Sequence, residues 1–234
     1  MSGRAEAHHQ HRDVTGGWLR PSVFGAMDGL VSNFALIAGV AGGTADTKVI
    51  SLAGVAGLAA GALSMAGGEY VSVASQRELA QAEIAVERRE LARHPDDERV
   101  ELAQTFVEKG VSPELAAEVA RQISQNPEQA LEVHTRNELG VAPGDLPSPS
   151  LAAVSSFLSF SLGAVLPLLP YLVGMRSLTV SAVISCVALF AAGALVSTVT
   201  ARNWWYSGVR QLVVGGVAAA VTFALGNLIG AAVL

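Results

Sequence analysis

Cysteine is nearly missing from this chain of 234 residues: Cys186 stands alone inside an apolar run. A disulfide framework and a thiolate metal site are therefore both excluded within one chain. Charge is scarce as well, at 15% of residues against 51% hydrophobic, where soluble domains carry about 25% charged residues. The scarcity is uneven. Few charges lie between Thr15 and Ser75, and only Arg176, Arg202 and Arg210 lie between Leu146 and Leu234. No basic stripe with interleaved aromatics occurs, so the footprint of a nucleic-acid binder is missing. The opening residues carry Arg4, His8, His9, His11 and Arg12, with no apolar core before Trp18. No signal peptide is expected, and the first apolar segment is expected to serve as its own insertion signal. The three histidines read as a solvated tail more readily than as a metal trap.

What the chain does have is long apolar runs. A membrane-spanning helix needs about 20 mostly apolar residues, and five stretches qualify: Val23 to Gly43, Val49 to Val73, Leu151 to Val173, Leu178 to Thr200, and Val209 to Val233. Short connections make the first two, and the third and fourth, antiparallel hairpins. Arg12, Arg20, Arg77, Arg88, Arg89, Arg93, Arg202 and Arg210 flank one set of ends; only Lys48 and Arg176 flank the other. The excess of basic residues marks the cytosolic side. The N-terminus and the long middle connection are thus expected in the cytosol and the C-terminus outside. Trp18, Tyr70, Trp204, Trp205 and Tyr206 fall where aromatic anchors belong at that boundary. A multi-pass protein of a bacterial plasma membrane is the expected setting. Small residues four apart (Gly25 and Gly29, Gly39 and Gly43, Gly57 and Gly61, Gly226 and Gly230) allow close helix approach, within the chain or between copies.

The middle connection holds most of the charge, and it is predominantly acidic; the net charge of −5 averages two unlike regions. From Gln76 to Arg93 it contains neither Gly nor Pro, and its residues are good helix formers. The second apolar helix is therefore expected to continue as one rod. His94-Pro95-Asp96-Asp97 breaks it, with Asp96 expected to cap a helix from Glu98 to Lys109. Ser112-Pro113-Glu114 and Asn126-Pro127-Glu128 start two more, ending near Ser124 and Leu139. The expected fold is all-α: an integral membrane protein of five transmembrane helices with a cytosolic helical metal-binding insertion between helices two and three. The expected divisions are a tail at 1–20, spans one and two at 21–75, the insertion at 76–148, and the last three spans at 149–234.

Three sets of residues carry chemistry. Asp28 lies about two turns past Arg20 in an apolar helix. A carboxylate at membrane depth costs about 2.5 to 3.5 kcal/mol on insertion scales and usually faces an ion or proton path. Met65 falls at a similar depth on the antiparallel second helix, and carboxylate with thioether suits a transition metal better than magnesium or calcium. Glu69, one turn on, extends that path or sits among headgroups. In the insertion, Glu83, Glu87 and Glu90 share a helix face, as do Glu98 and Glu101. The turn at Pro95 folds these faces together, and Glu132, His134 and Glu138 are placed to close the cluster. Oxygen ligands with an occasional imidazole suit ferrous iron, manganese or zinc. The plain alternative is a solvated acidic face paired with Arg88, Arg89 and Arg93.

The stretches Asp28-Gly29-Leu30-Val31-Ser32-Asn33-Phe34, Ser64-Met65-Ala66-Gly67-Gly68-Glu69-Tyr70-Val71-Ser72 and Ser75-Gln76-Arg77-Glu78-Leu79 resemble the vacuolar iron transporter family of iron and manganese transporters. So do Glu138-Leu139-Gly140 and Ser156-Phe157-Leu158-Ser159-Phe160 leading into Pro167-Leu168-Leu169-Pro170. The resemblance runs from Gly17 to the C-terminus in order and spacing. It implies a homodimer with the ion path between two copies of helix one, and proton-coupled export of ferrous iron, often manganese, from the cytosol. It implies that Asp28 and Met65 are intramembrane metal ligands, and that Glu87, Glu90, Glu98, Glu101 and Glu138 belong to a cytosolic metal-binding domain. Where the family pattern can carry methionines, this chain has His134 and Thr135, which leaves His134 as the substitute ligand. The implied partners are membrane lipid, protons and transported Fe2+ or Mn2+, with Zn2+ compatible with the cytosolic site; no permanently bound cofactor is expected. A ferroxidase is the rival from the enzyme class, but the insertion has no Glu-x-x-His motif of the di-iron bundles. A metal-sensing or storage adaptor, the other rival, leaves Asp28 unexplained.

Overall fold

The computed structural model describes residues 17–200 and 202–233, without the side chains of 199, 200 and 233. His8, His9, His11 and Arg12 lie outside the described residues. Every regular element in the described residues is helical: α1 Leu19–Gly43, α2 Thr47–Arg93, α3 Pro95–Glu108, α4 Pro113–Ile123, α5 Pro127–Glu138, α6 Pro149–Leu172, α7 Leu178–Thr200 and α8 Trp204–Val233. Five of these are long and apolar enough to cross a membrane, namely α1, α2, α6, α7 and α8. The chain is an all-α, multi-pass membrane protein. Contacts divide it into a membrane unit, residues up to Tyr70 with Pro149–Leu234, and an acidic unit, Val71–Ser148. The boundary between Tyr70 and Val71 falls inside α2, which runs for 47 residues without interruption.

In the membrane unit α1 is the central helix, packing on α6, α7 and α8. Its glycines permit this. A Cβ on Gly29 would overlap the carbonyl oxygen of Phe160, and one on Gly25 would press on Ser159 and Ser156, so α1 lies backbone to backbone against α6. Toward its other end Gly39, Gly42 and Gly43 meet Thr222, Phe223 and Gly226 of α8 in the same way. The spaced glycine pairs are therefore occupied by packing within the chain. Around them Leu30, Phe34 and Ala38 form one apolar core with Leu189 and Ala219, while Ile37, Ile50, Leu168 and Tyr171 form another. Outward-facing side chains such as Leu52, Leu63, Leu195 and Leu228 are 66 to 70% exposed, as lipid-facing residues would be.

Proline marks α6 twice. Pro167 and Pro170 lie inside the helix, where each removes an N–H and frees a carbonyl one turn earlier. Polar side chains gather on this stretch: Ser181 Oγ donates to the carbonyl of Pro167 at 2.6 Å and Asn33 Nδ2 to that of Ala164 at 2.6 Å. These bonds tie α7 and α1 to α6 beside its two prolines. At the start of α8, Trp204 and Trp205 stack edge-on with Phe190 of α7 at 6.0 and 5.3 Å.

In the acidic unit α2 runs unbroken to Arg93, as its composition requires. α3 begins at Pro95 and not after Asp96, with His94 in the capping position and no side-chain cap. The reason is that proline fits the first position of a helix, where its missing N–H has no partner to lose. Asp96, Asp97 and Glu98 then occupy the first turn, where the helix dipole favours acids. α3 ends at Gly110 (φ +94°), with Val111 N–H donating to Phe106 O at 3.1 Å. Asn126 caps α5, accepting from the N–H groups of Glu128 and Gln129 at 3.1 and 3.3 Å. The buried apolar residues of this unit include Ile84, Leu102, Ala116, Ala120, Ala130, Leu131 and Ala142.

Candidate metal sites

The buried stripe of α5 is Ala130, Leu131, His134 and Thr135, spaced as one helix face. Helix periodicity therefore carries an imidazole into the interior of the acidic unit, with Glu138 one turn on. Ile84 and Glu87 share a face of α2 in the same manner, and Glu98 and Leu102 share one of α3. The three faces converge on His134, which is 1% exposed. Its Nδ1 lies 3.1 Å from Glu87 Oε1, 3.3 Å from Glu138 Oε1 and 3.6 Å from Glu98 Oε2. One ligand atom each from Glu87, His134 and Glu138 falls within 4.8 Å of the others, a spacing that a single cation can bridge.

The electrostatics of this cluster are unbalanced. Burial first, then the charges of Glu138, Glu98 and Glu101, push the Glu87 carboxyl up to about 7. Glu98 is raised too, by burial and by Glu101 next, against a lowering pull from His134. His134 Nε2 is buried without a hydrogen-bond partner, and Glu87 Oε1 has only the 3.1 Å contact with His134 Nδ1. The arginines do not resolve this. Arg88 pairs with Glu128 at 2.9 Å and Arg89 Nε donates to the carbonyl of Ala85 at 3.1 Å. Crowded carboxylates with orphaned buried atoms are what a divalent cation would satisfy.

The other predicted carboxylates lie around this centre. Glu90 faces His94 at 3.9 Å, and Glu101 is exposed with Asp97, Gln104 and Glu108 around a shallow surface pocket, close enough to act on Glu87 and Glu98 by charge. Glu132 does not close the cluster: it is exposed and pairs with Arg136 at 3.1 Å, because it lies on the outer face of α5. Glu83 is likewise exposed.

The second site lies in the membrane unit. Asp28, Ser32, Asn33 and Leu36 of α1, with Gly57, Gly61, Ser64 and Met65 of α2 and Phe160 of α6, line a cleft of about 270 Å3. Asp28 and Met65 are thus brought together, while Glu69, partly buried one turn beyond Met65, does not line the cleft. Gly57 and Gly61 present bare backbone on the α2 wall; a Cβ on Gly57 would press on Asn33 and Leu36, and one on Gly61 on the Phe160 ring. Met65 rests against Ala62, Phe160 and Ala164. The Ser32 hydroxyl is spent on the carbonyl of Asp28 at 2.6 Å.

Asn33 is the residue that sequence reasoning left without a role. Its Nδ2 is held by Ala164 O, but Oδ1 is buried with no partner while the side chain lines the cleft. A carboxylate, a thioether and a fixed amide oxygen make a mixed donor set for a transition metal. The available signal was a lone amide in an apolar helix one and a half turns past Asp28.

Five spans, three of which line a cleft holding one carboxylate, with an acid-rich centre in a separate helical unit, define an integral membrane protein. The sequence pattern of the VIT family matches residues 19–227. The chain is 37% identical to the vacuolar iron transporter of Acanthamoeba castellanii, over 94% of this chain and 82% of that protein. It is 31% identical to vacuolar iron transporter 1 of Arabidopsis thaliana, over 95% and 90% of the two chains, and 30% identical to vacuolar iron transporter 1 of Oryza sativa subsp. japonica, over 95% and 90%. The chain belongs to the VIT family.

Proposed function

We propose that this protein is a transporter, not an enzyme, that moves a divalent transition metal, ferrous iron or manganese, out of the cytosol in exchange for protons. The observation that carries the reading is the cleft in the membrane unit lined together by Asp28, Met65 and Asn33, whose side-chain oxygen has no hydrogen-bond partner. The relatives' names add iron as a cargo of the family, and the donor set admits manganese as well. Their vacuolar names lend no support to a bacterial plasma membrane. Metal gathers on Glu87, Glu98, Glu138 and His134 of the acidic unit, which is read as cytosolic, and Zn2+ fits that site too. Glu90 and Glu101 add negative potential around it. The ion then moves to Asp28 and Met65, with Glu69 flanking the path, and leaves on the far side. Proton and metal compete for the one carboxylate of Asp28, which makes it the coupling group.

A homodimer is part of this reading. Gly67 and Gly68 of α2 have nothing within 4 Å of where a Cβ would stand, leaving bare helix backbone open to a second copy. The test is ferrous iron and manganese flux in proteoliposomes, with and without a pH gradient, for wild type and Asp28→Ala. Gradient-driven flux that disappears in the variant is the expected result. Equal flux in both would remove Asp28 from the mechanism, and no flux of either metal by folded wild type would favour metal sensing or storage.

A further inference from the structure

At the other end of the membrane unit from Asp28, the start of α2, the end of α6 and the α6–α7 connection meet around a pocket of about 340 Å3 lined by Thr47, Lys48, Ser51, Tyr171, Gly174 and Arg176. About 22 Å of helix separates Asp28 from Gly43, the last residue of α1, at a rise of about 1.5 Å per residue. The pocket's chemistry is the reverse of the metal cleft. No carboxylate lines it, and its two charged residues, Lys48 and Arg176, are exposed and have no ion pair among the described residues. The nearby acid, Asp46, turns its Oδ1 to the Lys48 backbone N–H at 2.8 Å and so caps α2.

Two features of the backbone build the site. Gly174 adopts φ +82°, and the bonds Met175 N–H to Pro170 O (2.8 Å) and Gly174 N–H to Tyr171 O (3.3 Å) close α6. This left-handed closure suits glycine, and it fixes the turn that delivers Arg176 to the pocket. Opposite it, Thr47, Lys48 and Ser51 belong to the first turns of α2, where the helix dipole favours an anion. The independent observation is Tyr171. It is 8% exposed, packed against the core of Ile37, Ile50 and Leu168, and its hydroxyl is buried with no hydrogen-bond partner. A buried hydroxyl lining a cationic pocket needs an acceptor.

We infer that this pocket binds a phosphate-type oxyanion, held by Lys48, Arg176 and the Tyr171 hydroxyl at the α2 N-terminus. Arginine offers a planar fork and lysine a point charge, the pairing that suits phosphate oxygens. The phosphate comes either free from solution or as the headgroup of an anionic phospholipid. The site goes beyond the transport reading and does not depend on it.

The test uses the full-length protein in phosphatidylcholine nanodiscs, without metal, titrated with inorganic phosphate by calorimetry. In parallel, protein taken from mixed phosphatidylglycerol–phosphatidylcholine vesicles is weighed by native mass spectrometry for retained lipid. Saturable phosphate binding, weakened at least about tenfold in Lys48→Gln/Arg176→Gln and less in Tyr171→Phe, identifies a free oxyanion. Retention of phosphatidylglycerol over phosphatidylcholine by wild type and not by the double variant identifies a lipid headgroup. Tyr171→Phe keeps the ring in its core and removes only the orphaned hydroxyl, so it separates binding from folding. Neither ligand bound by wild type, or binding equal in wild type and double variant, overturns the site.

Discussion

In the membrane unit one carboxylate, Asp28, shares its cleft with a thioether and an amide, and the walls are two serines, two glycines, Leu36 and Phe160. In the acidic unit Glu87, Glu98 and Glu138 crowd a single imidazole. The first site is sparse and would hold an ion weakly enough to release it. The second is crowded with carboxyl groups that raise one another's pKa, a repulsion that a bound cation would relieve. A path that loads at low concentration and then lets go needs both designs, because tight capture and quick release ask opposite things of one ligand set.

The comparison is sharpest if its two halves fail differently. Asp28→Ala removes the only acid of the cleft, and flux in proteoliposomes should fall by about a hundredfold or more, since loss even of outer partners of a metal site costs about 10- to 100-fold. Metal binding to the acidic unit, followed by manganese calorimetry, should be unchanged in that variant. His134→Leu fills the same buried space without a donor and should weaken that binding at least about tenfold. Flux at saturating metal should survive, and an equal loss of both would mean that the acidic centre is an obligatory step and not a collector that high metal concentration can bypass.

Packing offers a second contrast. Gly29→Ala places a methyl group on the Phe160 carbonyl and should destabilise the membrane unit by about 1–3 kcal/mol, seen as a lower melting temperature in detergent. Gly67→Ala meets open space and should leave the monomer's melting temperature unchanged or raise it, alanine being about 1 kcal/mol better than glycine inside a helix. Substitution at Gly67 that instead dissociates a dimer would place the second copy there.

The acidic unit should also respond to pH in an uncommon direction. Folding raises the Glu87 pKa from 4.5 to about 7, so between those values the folded state holds a proton that the unfolded chain has lost. Stability of the metal-free unit therefore falls as pH rises from about 4.5 to about 7 and levels off above. Metal affinity should climb over the same window as the competing proton leaves. Urea unfolding and manganese titration at stepped pH test both. The smallest effect is expected for Glu132→Ala, within about 0.5 kcal/mol and without change in metal binding, because Glu132 only pairs with Arg136 at the surface.

Much of this is legible in the sequence alone. The five spans follow from apolar runs that nothing else in a chain can use, and Asp28 stands out because a lone acid there needs a reason. The start of α3 was misplaced because proline and aspartate both signal a helix start, and the first position favoured proline. The acidic centre was harder. Spacing along one helix puts Glu87 with Glu90 and Glu98 with Glu101, but only the packing of α2, α3 and α5 selects the members of each pair that turn inward, and it is burial of the α5 stripe that brings His134 among them. Asn33 was invisible for a related reason: an amide has no charge to flag it, and its open oxygen shows only when Ala164 is seen to hold the other end.

The volume of the cleft bears on dehydration. At about 30 Å3 per water, about 270 Å3 has room for up to about nine molecules, more than the six of a divalent ion's inner hydration sphere. An ion lodged beside Asp28, as proposed, would have room to keep most of its own water, exchanging only a few molecules for protein ligands such as the carboxylate and the thioether. The rate of passage would then be governed by exchange of single ligands, and discrimination among metals by how readily each one gives up its first water.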